Sequence, residues 1–332
     1  LNNKKIFAAI VTTLVLFAII RSCSPETNEE SVEQEEIWEP ADHVSTPEAK
    51  NEKAIEVVKK VETLSPAAGL ATAPQKPIEK IEKSAVSIGD STFKTKSDFA
   101  YFKVKDGLAL VGGDVIIGEL SPEQKKKDFK GRLLKQKPKE SKLWPSPQIP
   151  VAFAVGFPEV MKAEVQKAIK YMNAETVVEF VNAEEGVDED LIIFQERQGA
   201  PCSSYLGMVG GYQPIYLNST CKAQDVIHEM MHALAFVHEQ QREDRDDSLK
   251  ILWENIDEFF AYNFSILPDS MVHPYEGSVF RLDLTSVMMY PETAFADSGK
   301  KSMLSLSSAK IAPINSGLSD IDKKRLEYLY GS

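Results

Sequence analysis

The sequence predicts an α+β domain over residues 143–332, preceded by a mostly irregular segment that carries a few short strands. Three observations point there. Strand-like alternation and helix-like periodicity succeed one another through residues 151–217, as they do where helices pack on a sheet. Three of the chain's five histidines fall within residues 228–238, the first two at helical spacing. Near residue 85 the composition changes from a charged, Pro-containing stretch to one with regular apolar patterning.

Taken in order, residues 100–104 and 108–111 flank Asp106-Gly107 and read as a β-hairpin, because Asp-Gly suits a tight two-residue turn. A further strand follows at 115–117. Residues 151–157 alternate as a strand, and Pro158 then opens a helix, since a missing N–H is no loss in a first turn. Met161, Val165, Ala168, Ile169 and Met172 share one face of that helix. Strands follow at 176–181, 191–194 and 214–217. A second helix is expected after Ser219-Thr220, whose hydroxyls suit an N-cap. A last helix follows Ser319-Asp320.

The segment His228-Glu229-Met230-Met231-His232 carries chemistry as well as pattern. In a helix, four steps of about 100° return to within about 40° of the start, so His228 and His232 face one ion together. Glu229 sits beside that ion and reaches a water bound to it rather than the ion itself. His238 lies about 240° further round a continuing helix, so it joins the pair only if the helix stops and the chain turns sharply near Ala235-Phe236. Three neutral imidazoles with one open position match a catalytic zinc site, whereas structural zinc sites are closed by four ligands and rich in cysteine. One zinc ion per chain is therefore expected on His228, His232 and His238, with Glu229 as general base. His43 and His273, in polar or Pro-flanked stretches, read as solvated loop residues.

HEMMHALAFVHE, residues 228–239, resembles the extended zinc motif of the metzincins, and its continuation EQQREDRD is similar to that of the astacin family in particular. Ser286-Val287-Met288-Met289-Tyr290 resembles the astacin Met-turn. The resemblance implies a two-subdomain fold with a twisted mixed β-sheet and an active-site helix, and a zinc-dependent endopeptidase acting on protein or peptide substrates. It implies that Tyr290 is a further zinc ligand at rest that swings away to stabilise the oxyanion, and that Met288 forms an apolar floor under the ion. Astacins are made as zymogens in which an aspartate in an FxGD context fills the open zinc position. Val111-Gly112-Gly113-Asp114 is similar, with Val111 in place of Phe, which makes Asp114 the candidate latency ligand. Without the resemblance it reads as a turn aspartate.

By the same resemblance, residues 85–142 are a pro-segment and residues 143–332 the catalytic domain. Gly131-Arg132 and Lys142 are candidate cut points for an activating protease or self-cleavage, and the new amino terminus would be buried near Glu239. Ala235 stands where metzincins have glycine, at the turn toward the third histidine. A left-handed conformation there costs roughly 1 kcal/mol, which a rigid domain tolerates. Met289 stands where astacins commonly have histidine. Asp244 and Asp246 either pair with Arg242 or Arg245 or belong to a solvated charge run.

Cys202 and Cys221 bracket the strand leading into the motif helix, and in an exported protein they read as a disulfide. The second disulfide usual in astacins has no cysteines to form it. The carboxy-terminal half is therefore expected to be held by packing alone, through Leu326 and Leu329.

Asn2-Asn3-Lys4-Lys5 and the apolar run at 6–20 read as an export signal over residues 1–23, the run being shorter than the roughly 20 residues of a spanning helix. Cys23 is the candidate lipid acceptor of a lipoprotein, against simple removal with the signal. The protein is accordingly expected outside the cytoplasm, secreted, periplasmic or lipid-anchored. Residues 24–84 read as an acidic Pro/Lys/Glu-rich tether, in which acidic residues outnumber lysines twelve to four between Glu26 and Glu62. Ile55, Val58 and Glu62 mark one short amphipathic helix within it, and residues 67–77 an Ala/Pro linker. A net charge of −12, with neither a basic stripe nor a glycine-rich phosphate loop, argues against nucleic acid as partner. The other reading of the chain is a zinc-bearing, surface-displayed binding protein without turnover. Glu229 and Tyr290 together argue against it, because a site that only holds structure uses neither.

Overall fold

The patterned stretches on either side of residue 143 pair into one mixed sheet. The computed structural model describes residues 78, 82–83, 93–127, 129, 132–184, 188–272 and 280–331, all within one unit, Pro47–Ser332. The export signal, Cys23, His43, the 55–62 helix, the 67–77 linker, Gly131 and His273 lie outside the described residues.

Among the described residues, five strands precede residue 143: β1 (Glu82–Lys83), β2 (Ala100–Lys105), β3 (Leu108–Val111), β4 (Val115–Glu119) and β5 (Leu134–Gln136). β2 and β3 form the expected hairpin, Lys105 pairing with Leu108. Asp106 and Gly107 between them have φ of 50° and 82°, the left-handed pair that a two-residue turn of this kind requires. Val111 pairs with Val115 across Gly112-Gly113-Asp114, which sets Asp114 at the tip of a second hairpin. Two pieces of the stretch assigned to the tether are structured: Ile78 is buried, and Glu82–Lys83 pairs with Lys135 and Leu134.

After residue 143 come β6 (Gln148–Phe153), α1 (Glu159–Glu175), β7 (Glu179–Asn182), β8 (Leu191–Glu196), β9 (Ser203–Tyr205), β10 (Tyr212–Leu217) and α2 (Ala223–Ala233). β6 lies between β7 and β8, parallel to both; β10 is parallel to β8, and β9 antiparallel to β10. The full order is β1-β5-β2-β3-β4-β9-β10-β8-β6-β7. The junction is a parallel pairing of β4 with β9, Val115 opposite Ser204 and Ile116 opposite Tyr205. The second hairpin thereby covers an edge that would otherwise expose unpaired backbone groups.

The buried face of α1 is the expected one, Met161, Val165, Ala168, Ile169 and Met172, and it packs in one cluster with Phe153, Phe180 and Phe194 of the sheet. α2 starts later than Ser219-Thr220. Acidic side chains, not hydroxyls, meet its first N–H groups: Asp225 accepts from Lys222 N at 2.8 Å, and Glu164 of α1 accepts from Ala223 N at 2.9 Å.

Beyond α2 the chain runs mainly through short 3₁₀ turns, with β11 (Leu249–Ile251) paired to β12 (Met303–Ser305), until α3 (Asp320–Tyr330). Ser319 caps α3, accepting from Asp322 N at 3.0 Å. Leu326 is buried and Leu329 packs at the edge of the core, but packing alone does not hold this half. Asp322 accepts from Ser286 Oγ at 2.6 Å and from Val287 N at 3.0 Å; Ser319 Oγ donates to Asp283 at 2.6 Å; and buried Arg325 pairs with buried Glu239. Such buried charges persist only when paired. Their partners lie between 35 and 86 residues away, so no local pattern in the sequence announces them.

Cys202 and Cys221 form the expected disulfide, closing a loop of sequence separation 19. Replacing both by alanine is expected to lower the unfolding free energy by about 3 kcal/mol, measured as a shift in urea midpoint at unchanged slope.

Candidate metal centre

α2 is amphipathic, and its burial of Val226, Met230 and Met231 fixes the rotation that turns His228 and His232 toward one centre. The helix then stops. Leu234 is its cap, and Ala235 takes φ 77°, the left-handed turn that glycine normally supplies. This reversal lets Phe236 offer its carbonyl to His232 Nδ1 at 2.7 Å and brings His238 round to the other two imidazoles.

The three rings meet with centroids 4.7, 5.1 and 4.7 Å apart. Every Nδ1 has a partner on the outer side: His228 with Val287 O at 2.9 Å, His232 with Phe236 O, and His238 with Gln241 Oε1 at 3.1 Å. A carbonyl oxygen only accepts, so each Nδ1 carries the proton and each Nε2 presents a lone pair inward. Burial pulls the His232 pKa down to about 4, keeping that ring neutral at pH 7.

Asp114 enters this centre from the hairpin tip. Its Oδ2 lies 3.5 Å from His228 Nε2, and its Oδ1 lies 3.5 Å from His232 Nε2 and 3.4 Å from His238 Nε2. His228 Nε2 and His238 Nε2 are 3.2 Å apart. These separations suit a shared cation better than direct hydrogen bonds. Atoms each about 2.0–2.1 Å from a tetrahedral zinc stand about 3.3–3.4 Å from one another. Asp114 Oδ1 and His232 Nε2 are moreover buried without a hydrogen-bond partner, a cost that an ion between them removes. The four residues therefore fit one zinc.

Glu229 is 2% exposed, and its Oε2 likewise has no partner. Burial, and then the charges of Asp114 and Asp225, hold its pKa well above the usual carboxylate range. Tyr290 lies against His238, ring centroids 4.7 Å apart, but its hydroxyl donates to Gly112 O of the hairpin tip. Met288 is fully buried in the main core, and its carbonyl accepts from Glu239 N at 3.0 Å. Asp244 and Asp246 are paired, the first with Arg242 at 2.7 Å and the second with Arg245 at 3.2 Å. Beside the centre a cleft of about 890 Å³ is walled by Phe259, Phe260, Tyr262 and Phe295, with Lys103 of β2 lying over the Phe259 ring.

Sequence reasoning missed the outer partners of the imidazoles. Val287 and Phe236 act through backbone carbonyls, which leave no trace in side-chain identity. Gln241, three residues after His238, was the one legible signal.

A family model described as Astacin, a peptidase family, matches residues 136–331. The chain belongs to the astacin family. Relatives include the zinc metalloproteinase nas-4 of Caenorhabditis elegans, 30% identical over 194 residues, which cover 56% of this chain and 58% of that protein. The low choriolytic enzyme of Oryzias latipes is 32% identical over 187 residues, covering 55% of this chain and 65% of that protein. Among solved structures, high choriolytic enzyme 1, a hatching enzyme zinc-protease from Oryzias latipes, is 29% identical, with a TM-score of 0.49 over 58% of this chain and 94% of that one. The chain spans about half the length of the curated relatives it matches. The astacin match takes in the whole of α2, residues 286–290 and α3, while Asp114 and its hairpin lie ahead of it.

Gly112 makes the approach of that hairpin possible. It has φ 58°, and a Cβ there would press into Gln241 and come within 2.8 Å of His238 Nδ1. Gly112→Ala is expected to loosen the tip from the astacin domain while leaving the core intact. Amide hydrogen exchange should quicken across residues 108–116 and stay unchanged in α1; equal protection in both proteins would count against this docking geometry.

Proposed function

We propose that this astacin-family chain is a zinc-dependent endopeptidase made in a latent form, with His228, His232 and His238 holding the ion, Glu229 as general base and Asp114 as latency ligand. The observation that carries the reading is the convergence of three inward lone pairs, each ring fixed from outside, beside a buried and unpartnered glutamate. Zinc, when bound, supplies Lewis acidity that makes a water a nucleophile near neutral pH and polarises the scissile carbonyl. Glu229 takes the proton of the attacking water and returns one to the leaving amine. Its burial between α2 and the cleft keeps bulk water from competing for that proton. Tyr290, once released from Gly112, turns its hydroxyl to the oxyanion of the tetrahedral intermediate. Met288 packs beneath the centre and fixes the turn whose Val287 carbonyl orients His228.

Asp114 supports latency by where it stands. Its carboxylate fills the position that a nucleophilic water needs, and β4 pairs with the β9 edge next to it. Residues 85–142 then act as the pro-segment, removed by an activating protease or by self-cleavage, and residues 143–332 as the peptidase. Substrates are proteins or peptides. Export, with Cys23 as candidate lipid acceptor, accords with a disulfide beside the cleft.

Casein digestion by the cleaved protein tests this reading. Glu229→Gln is expected to bind about one zinc per chain by metal analysis yet lose activity by about 10²–10⁴-fold. A variant that digests casein at the wild-type rate would remove Glu229 from the mechanism. Asp114→Ala in the uncleaved chain is expected to raise activity toward that of the cleaved wild type. If the uncleaved variant stays silent while zinc is bound, latency resides elsewhere in the pro-segment.

A further inference from the structure

Glu239 follows the third histidine directly, and its carboxylate is already surrounded. Both terminal nitrogens of Arg325 bond to it, Nη2 at 3.3 Å; Arg242 Nη1 lies 3.3 Å from Oε2; and Asp283 N donates to Oε2 at 2.8 Å. A carboxylate offers about four lone-pair sites. An ammonium group could enter only by displacing a guanidinium, and all three side chains are buried.

The same helix grips the centre at a second point. Asp322, one turn before Arg325 on α3, accepts from Ser286 Oγ and from Val287 N. Val287 O is the acceptor that orients His228, and Glu239 N donates to Met288 O in the same turn. α3 thus ties the residue beside His238 to the turn that holds His228. Arg325 Nη2 also reaches Arg281 O at 2.9 Å, which anchors the guanidinium independently of Glu239.

We propose that Arg325 is a positioning residue for the metal centre. It supplies, from inside the fold, the cation that Glu239 needs, so the centre is set before any cleavage and does not wait for an amino terminus to enter there. This rests on the peptidase reading and departs from the expectation that a new terminus is buried at Glu239. Activation then consists in withdrawing the Asp114 hairpin, and cuts at different bonds in residues 137–142 serve alike.

The test uses the full zinc-loaded chain, cut either by trypsin after lysine or by a glutamate-specific peptidase, with the new termini read by mass spectrometry. The two products are expected to share kcat within about twofold. Arg325→Met and Arg325→Lys are compared at a temperature where circular dichroism matches wild type. Arg325→Met is expected to lose zinc to a competing chelator about 10–100-fold more readily, with kcat falling and KM held, and Arg325→Lys to lie between. Should Arg325→Met fail to fold, Arg325→Lys alone decides, through the same zinc competition. A lower melting temperature with zinc retention and kcat unchanged overturns the positioning role, and a kcat that changes tenfold or more with the terminus overturns its independence of cleavage. A cut wild type that keeps zinc but digests no casein would instead remove the peptidase reading, and the zinc competition would still decide the role of Arg325.

Discussion

Three hydrogen bonds on the outer edges of three imidazoles govern the centre. Each commits Nδ1 to a proton and leaves Nε2 bare toward the middle, so ring orientation and tautomer are set together. One bond is local and exists only because Ala235 accepts a left-handed turn. Another spans the 59 residues between His228 and Val287 and therefore needs the chain beyond residue 280 in place. Much of the remaining architecture serves to put those acceptors where the rings require them.

The strands ahead of residue 143 are attached by more than Asp114. β4 pairs along the edge of β9, and its Glu119 is buried where Tyr216 donates to it at 2.9 Å and Arg197 stacks on the tyrosine ring. Phe102, Val111 and Val115, ahead of the astacin match, share a core with Leu206, Val237 and Leu267 within it. Removing Asp114 from the centre thus means separating a sheet junction and an apolar interface. In the latent form proposed above, the Asp114 carboxylate would be the chemical end of a packed interface.

Charge burial plays the corresponding part next to His238. Glu239, Arg242 and Arg325 are all withdrawn from water, and removing one partner of such a set costs about 3–5 kcal/mol because the others are left exposed to a low dielectric. With a single disulfide among the described residues, confined to the loop before α2, this network and the Asp322 bonds hold the carboxy-terminal helix to the histidine segment. Buried electrostatics thereby impose the conformational restraint that a second cross-link would impose through the chain.

Read alone, the sequence specified the elements whose cause is local. The α1 face from Met161 to Met172, the Asp106-Gly107 turn and the pairing of His228 with His232 follow from periodicity, backbone preference and spacing, which neighbouring residues specify; the stop after Ala233 that brings in His238 was inferred from the histidine spacing, against the local preference of Ala235. It misplaced the start of α2, because Glu164 and Asp225, not the hydroxyls nearby, meet the free N–H groups, and it took the carboxy-terminal half to rest on packing alone. Tertiary contacts alone set β4 beside β9, turned the Val287 carbonyl to His228 and brought Arg325 to Glu239 across 86 residues. Those contacts depend on which distant groups are excluded from water together, and burial of that kind exists only once the chain has closed on itself.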